Sequence, residues 1–395
     1  MQIGLLGKAN VGKSTFFSAA TETAVASGNF PFTTIEPNVG VAYVQSDCAC
    51  KHFDLKHDNE LCINGTRLIP IKLIDVAGLV PGAHEGKGLG NKFLDDLRQA
   101  DALIHVIDLS GGTNEKGESV EINSYDPAED VKFLEDELDH WFSNILERNW
   151  ANIDKKIRMQ DMKIEEALLT VLSGLKISEE QIIEAINALS LDKTNVNDNL
   201  FELAKKLREI SKPMIIAANK CDVLQEGNLW KEKYERLVKM FPNYKIIPVM
   251  AEYEWNLKKA AKAGIIQYIP GEKDFKILKE DDLNEGQKKG LELIRTHMTS
   301  LGTNGVQDCI NAAVFDLLEM KALFPGGSKL EDKDGNVIPD CFLMPKSTTA
   351  LDFAYRLHTD FGKNFIKAID VKTKMMVGKD HVLKFGDIVE IVSGK

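Results

Sequence analysis

Three short runs in this chain carry the residue types of phosphate and base chemistry. The first, Gly7-Lys8-Ala9-Asn10-Val11-Gly12-Lys13-Ser14, matches G-x-x-x-x-G-K-[ST] without deviation. It lies between an apolar run at 2–6 and a helical stretch. In that context glycines let backbone N–H groups turn inward onto phosphate oxygens, and the helix N-terminus adds its positive dipole end. Lys13 is then placed for the β- and γ-phosphates and the Ser14 hydroxyl for Mg²⁺. The second run, Asp75-Val76-Ala77-Gly78, ends an apolar segment at 71–74. A carboxylate there can hold the Mg²⁺ shell, and the Gly78 N–H can meet a γ-phosphate, which makes the following loop a switch. The third, Asn219-Lys220-Cys221-Asp222, closes the run 215–218. A carboxylate at Asp222 can accept from both N1–H and N2–H₂ of guanine. Adenine offers no such donor pair, and a polar site left unpaired rejects the wrong base strongly. Between the first two runs, residues 29–37 hold Phe32, Thr33 and Thr34 between prolines. Either threonine hydroxyl can serve Mg²⁺ from such a first switch, and periodicity does not choose between them.

Loops like these need strands that end at one edge. Apolar runs at 2–6, 39–44, 68–74, 102–109, 214–218 and 245–250 read as strands with helical stretches between them. That alternation predicts an α/β fold, a mainly parallel sheet with helices on both faces. Residues 110–213 are too many for a simple crossover. Asp126-Pro127 starts a helix there, and Val131, Leu134, Leu138, Trp141, Ile145 and Leu146 recur at three- and four-residue spacing, one apolar face. Ser178-Glu179-Glu180-Gln181 is a capping box. The expectation is a helical insertion over about 112–210. Residues 256–321 read as largely helical, with a turn at Pro270-Gly271. Phe324-Pro325-Gly326-Gly327 reads as a linker, so a first domain over 1–325 and a small α+β module over 326–395 are expected.

Composition sets limits. With 395 residues, 44% hydrophobic and 28% charged, the chain reads as an ordinary globular protein. No apolar run approaches the ~18 residues of a membrane span, and the start lacks the pattern of a signal peptide; a cytoplasmic location is expected, with no membrane partner. A net charge of −11 argues against DNA. Residues 328–395 carry 11 basic and 10 acidic side chains against 38 and 50 elsewhere, so that segment is the less unfavourable surface for RNA. Its Lys363, Lys367, Lys372, Lys374 and Lys379 read first as a solvated face balanced by Asp352, Asp360 and Asp370, with phosphate contacts as the second reading. Of six cysteines, Cys48 and Cys50 stand near His52, His57 and Cys62. These are zinc-ligand types, but the spacing departs from C-x₂₋₄-C and no second pair follows, so reduced thiols in a hairpin are the favoured reading.

The strings GKANVGKS, NFPFTTIEPNVG, DVAGLVPGAHEGKGLGNKFL and NKCD, in this order, resemble the Obg/YchF-related, translation-factor branch of GTPases. The tail, PDCFLMPKSTTALDFAYRLHTDFGKNFIKAI with LKFGDIVEIVSG, resembles the ubiquitin-like TGS domain shared by threonyl-tRNA synthetases, such GTPases and stringent-response enzymes. Essentially the whole chain is similar to archaeal YchF-like GTPases. The resemblance implies GTP and GDP as ligands, with Mg²⁺ held by Ser14, Thr34 and Asp75. It implies a base-contacting loop at Met250-Ala251-Glu252, where Met250 replaces the family's serine and leaves a backbone contact. It implies a partner that is the ribosome or a structured RNA, engaged through the TGS module and the insertion. Asn10 matches the position where related GTPases help coordinate K⁺, a candidate second cation. Leu79 stands where Ras-like proteins orient water with Gln, which implies slow intrinsic hydrolysis and makes His84 a candidate catalytic residue beside Lys13, Thr34 and Gly78.

Three functions are compatible with these features. The leading one is a GTPase switch cycling through the loops at 30–37 and 76–90. The others are a YchF-type ATPase, although NKCD departs from YchF proper by keeping the guanine-reading Asp222, and a nucleotide-gated binding module with negligible hydrolysis.

Overall fold

Gln2–Leu6 (β1) is a short apolar run buried along nearly its whole length. The computed structural model describes residues 1–22, 38–55, 59–76, 96–225, 228–327 and 340–394. After β1 come β2 (Val39–Asp47), β3 (Cys62–Ile63), β4 (Thr66–Asp75), β5 (Ala102–Asp108), β6 (Met214–Asn219) and β7 (Lys245–Pro248). β1 pairs in parallel with β4 and β5, β5 with β6, and β6 with β7. The order is therefore β4-β1-β5-β6-β7, with β2 beyond β4. Every residue of β5 and β6 is buried, as expected of parallel strands covered on both faces. The register sets Leu5 beside Asp75, Leu6 beside His105, and Asp108 beside Asn219. Parallel pairing thus brings the C-terminal ends of five strands to one edge, where ligands of open α/β sheets bind.

Among the described residues, 1–22, 38–41 and 72–309 form one unit, and 42–71 with 310–394 form a second. In the first unit the expected insertion is present as helices Ala128–Met159, Ile164–Leu172, Glu179–Ala188 and Leu200–Ser211. It shares a core with the sheet: Leu134, Leu138, Trp141 and Leu146 pack in one cluster with Leu6, Ile74, Leu103 and Met214. Each such side chain contributes about 1.5–3 kcal/mol through burial. A buried ion pair joins two of these helices, Arg208 Nε donating to Asp139 at 2.7 Å. The capping box at Ser178 makes both of its bonds, and Pro127 occupies the cap before Ala128. Farther on, helices Ala251–Lys262 and Glu285–Leu301 flank a short antiparallel pair, β8 (Ile266–Gln267) and β9 (Lys276–Ile277).

The second unit contains β10 (Met320–Pro325), β11 (Phe342–Pro345), β12 (Phe365–Asp370), β13 (Met375–Val377) and β14 (Ile388–Ser393), in the order β11-β10-β14-β12-β13. Helix Ala350–Leu357, capped by Thr349, covers a core of Leu323, Phe353, Ala368, Leu383 and Val389. The linker reading of Phe324-Pro325 is corrected here. Both residues belong to β10, pairing with Ile388 and Val389, and Phe324 is only 1% exposed. The Pro-Gly-Gly punctuation marks the end of a strand rather than a boundary before the module. The segment 42–71 belongs with this unit: Gln45 N–H donates to Asn311 Oδ1 at 3.0 Å. No helix among the described residues is long and apolar enough to cross a membrane.

Candidate nucleotide site

The loop after β1 turns directly into helix Lys13–Thr21, so its backbone donors converge at that helix's N-terminus. Gly12 has φ +93°, and a Cβ there would stand 2.3 Å from Asn219 Nδ2. No side chain fits, which lets the backbone of the loop approach the end of β6. Ser14 is exposed on the first turn of the helix. Lys13 Nζ, partly exposed, donates to Asp75 Oδ1 and to the Val76 carbonyl at 2.9 Å. The phosphate-loop cation and the carboxylate ending β4 therefore stand side by side, joined directly as an ion pair.

The end of β6 meets the loop from the other side. Asn219 Nδ2 donates to the Val11 carbonyl at 2.9 Å, and Asn219 Oδ1 accepts from the Ala251 N–H at 3.2 Å. Asp222 lies in a short 3₁₀ turn, Cys221–Leu224, half-buried. Burial pushes its carboxyl above the ordinary range, and the Glu252 carboxylate adds to the rise. Met250 is fully buried, its N–H donating to the Asn304 carbonyl at 2.9 Å. The thioether is thus part of the core, while Ala251 and Glu252 open the following helix. Lys220, at φ +66°, reaches back to Asp108 Oδ2 at 2.8 Å.

The residues after β5 form a second layer on the phosphate loop. Lys8 Nζ is buried, paired with Asp130 Oδ1 at 2.7 Å, bonded to the Thr113 carbonyl at 2.9 Å, and set over the Tyr125 ring at 3.9 Å. Asn10 Nδ2 donates to the Gly117 carbonyl at 2.8 Å, leaving Oδ1 as the one atom of that amide able to ligate a cation. Gly117, at φ +78°, sits where a Cβ would lie 2.7 Å from the Ala9 Cβ. Asp108 and Thr113 join this layer to Lys220. Reading by motif missed Asp108, Thr113, Gly117 and Asp130. Asp108 was detectable as a second carboxylate ending a buried strand; the others carry no local signal.

Gly7, Lys8, Ala9, Asn10, Val11, Gly12, Lys13, Ser14, Asp75, Asn219, Lys220, Asp222, Met250, Ala251 and Glu252 are thus gathered at one edge of the sheet. Phe32, Thr33, Thr34, Gly78, Leu79 and His84 lie outside the described residues.

A parallel sheet whose first strand runs into a glycine loop and helix, with NKCD closing β6 two strands away, defines a P-loop nucleotide-binding protein of the GTPase class. Comparison with known proteins agrees. Residues 2–138 match the family model described as 50S ribosome-binding GTPase, 217–327 the G4 motif-containing domain of Obg-like GTPases, and 321–393 the TGS domain. A GTP-binding protein of Methanocaldococcus jannaschii is 50% identical over 99% of this chain and 98% of its own. The crystal structure of a GTP binding protein from Pyrococcus horikoshii aligns over 100% of both chains at 39% identity and a TM-score of 0.79. The ribosome-binding ATPase YchF of Escherichia coli is 28% identical over 98% of each chain. The chain belongs to the YchF-like GTPase family, with its GTPase fold and C-terminal TGS domain.

Proposed function

We propose that this chain binds GTP with Mg²⁺ and hydrolyses it to GDP and phosphate in a slow switch cycle coupled to the ribosome or a structured RNA. The observation that carries this reading is the bond from Asn219 to the Val11 carbonyl. It joins a loop suited to phosphate to a loop suited to guanine, and Asp222 stands three residues beyond it. The Lys13–Asp75 contact fits a magnesium–phosphate group, with Ser14, Thr34 and Asp75 as the ligands and Lys13 as the fixed charge. Bound Mg²⁺ would neutralise charge on the β- and γ-oxygens. Water adding at the γ-phosphorus breaks its bond to the β-phosphate oxygen, and Gly78 and His84 are the residues proposed beside that centre. The ribosomal partner rests on the printed function of the Escherichia coli relative.

The test is affinity and turnover for GTP and ATP with Mg²⁺, in K⁺ and in Na⁺ buffers, with and without ribosomes. GTP-selective binding, with hydrolysis rising in K⁺ or on ribosomes, supports the proposal. Equal ATP binding overturns the guanine assignment in favour of a YchF-type ATPase. Turnover held at background under every condition leaves a nucleotide-gated binding module.

A further inference from the structure

Cys48, Cys50 and Cys62 have no part in the nucleotide site. Cys48 caps the short helix Ala49–Phe53, Cys50 lies inside it, and Cys62 is in β3. Their sequence spacing spoke against a metal, but the hairpin overrides spacing. β3 folds back on β4 with Cys62 opposite Arg67, and the Cys48 N–H donates to the Gly65 carbonyl at 2.8 Å, closing the helix onto the turn. All three sulfurs then lie within 4.8 Å of one another, with Cys50 and Cys62 Sγ atoms 3.8 Å apart. Sulfurs about 2.3 Å from a tetrahedral zinc stand about 3.8 Å apart, whereas a disulfide needs about 2.05 Å. The observed distance suits ligands sharing an ion and excludes a disulfide, and two thiols in hydrogen-bond contact stand equally far apart.

A fourth thiol lies nearby, outside the trio whose sulfurs stand within 4.8 Å of one another. Cys341, just before β11, packs against the cluster that contains Cys48 and Cys50. Arg67, 1% exposed, places a positive charge beside a group that would otherwise carry two net negative charges, a favourable pairing in a poorly solvated place.

We propose that Cys48, Cys50 and Cys62, with the Cys341 thiol turning in as fourth ligand when the ion binds, form a structural tetrathiolate zinc site that pins the 42–71 segment to the C-terminal module within the second unit. Soft thiolate ligands and a closed set of four select zinc and a structural role. Binding releases the thiol protons to solvent. The five-residue helix Ala49–Phe53 is too short to persist alone, and the ion would supply the missing restraint.

The test uses the full-length chain purified without chelator. Elemental analysis should find one zinc per chain, and exchange for Co²⁺ should give tetrahedral ligand-field bands with charge-transfer intensity appropriate to four thiolates. Cys341→Ser should lower that intensity by about a quarter and leave nucleotide affinity unchanged. Absence of zinc together with no cobalt charge-transfer band overturns the site, as does a Cys50–Cys62 disulfide in the purified chain. Unchanged intensity in Cys341→Ser overturns the tetrathiolate set. The wild-type cobalt spectrum decides the matter even if a cysteine variant fails to fold.

Discussion

Asn219 donates from Nδ2 to the Val11 carbonyl at 2.9 Å across 208 residues of chain. The same amide accepts from the Ala251 N–H, so one side chain ties the phosphate loop, the end of β6 and the turn after β7 together. Such a staple sets the distance between the loop proposed to meet the phosphates and the turns proposed to meet the base.

Replacing Asn219 with Ala removes both bonds and leaves a buried carbonyl and a buried N–H unpaired, a loss of about 1–3 kcal/mol each. GTP and GDP affinity should fall together by about 10–100-fold, with the thermal midpoint lowered. Fluorescent-nucleotide titration measures this; a loss confined to GTP would contradict a staple that acts on both loops.

Asp222→Asn should move preference from guanine to xanthine nucleotides, because the amide can donate where the carboxylate only accepts. Unchanged GTP affinity would sink the assignment. A pH dependence accompanies it. Burial and Glu252 raise the Asp222 carboxyl above its usual value, and only the ionised form accepts both guanine donors. GTP binding should therefore weaken on mild acidification sooner than an ordinary aspartate would allow, and Asp222→Asn should abolish that component of the profile.

The Lys8–Asp130 pair is 9% and 6% exposed at its side chains. Breaking a buried pair on one side strands the other charge. Lys8→Met should cost about 3–5 kcal/mol, and Lys8→Met with Asp130→Leu should recover most of it. Urea denaturation of both variants checks this, and a double variant no more stable than the single would refute it.

His105 is buried in β5 between Leu6 and Ile216, with Nδ1 unpaired. Burial, assisted by Lys8, pushes its imidazole down to about 3. The unfolded residue titrates near 6.5. Between those values the unfolded chain binds a proton that the folded chain refuses, so stability falls as pH drops through that window, by about 1.4 kcal/mol per unit at most. His105→Leu should flatten the acid side of the curve. Melting from pH 4 to 7.5 tests this; parallel curves for the two proteins would count against it.

Much of the sheet and its loops was legible because the signals are local. A buried parallel strand reads as a run of β-branched and aliphatic residues, and GKANVGKS or NKCD carries its whole signal within one turn of chain. The insertion was legible for the same reason, its helix starts at Asp126-Pro127 and Ser178 being written in cap residues. Phe324-Pro325 misled because Pro followed by Gly-Gly marks an end without saying on which side of a domain boundary that end lies. Only pairing with β14 makes those residues part of the C-terminal sheet.

By itself the sequence put the candidate phosphate and guanine loops at the ends of β1 and β6, since the signals for such recognition are backbone freedom and side-chain type at adjacent positions. The tertiary structure alone decided what lies behind those loops. Lys8 meets Asp130, Asn219 meets Val11 and Cys62 meets Cys50 because strands, hairpins and helices return the chain to the same place. A contact between residues 122 or 208 positions apart leaves no periodicity to read, and a zinc-like cluster of thiols arises from a turn that folds Cys48 and Cys62 together, not from the count of residues between them.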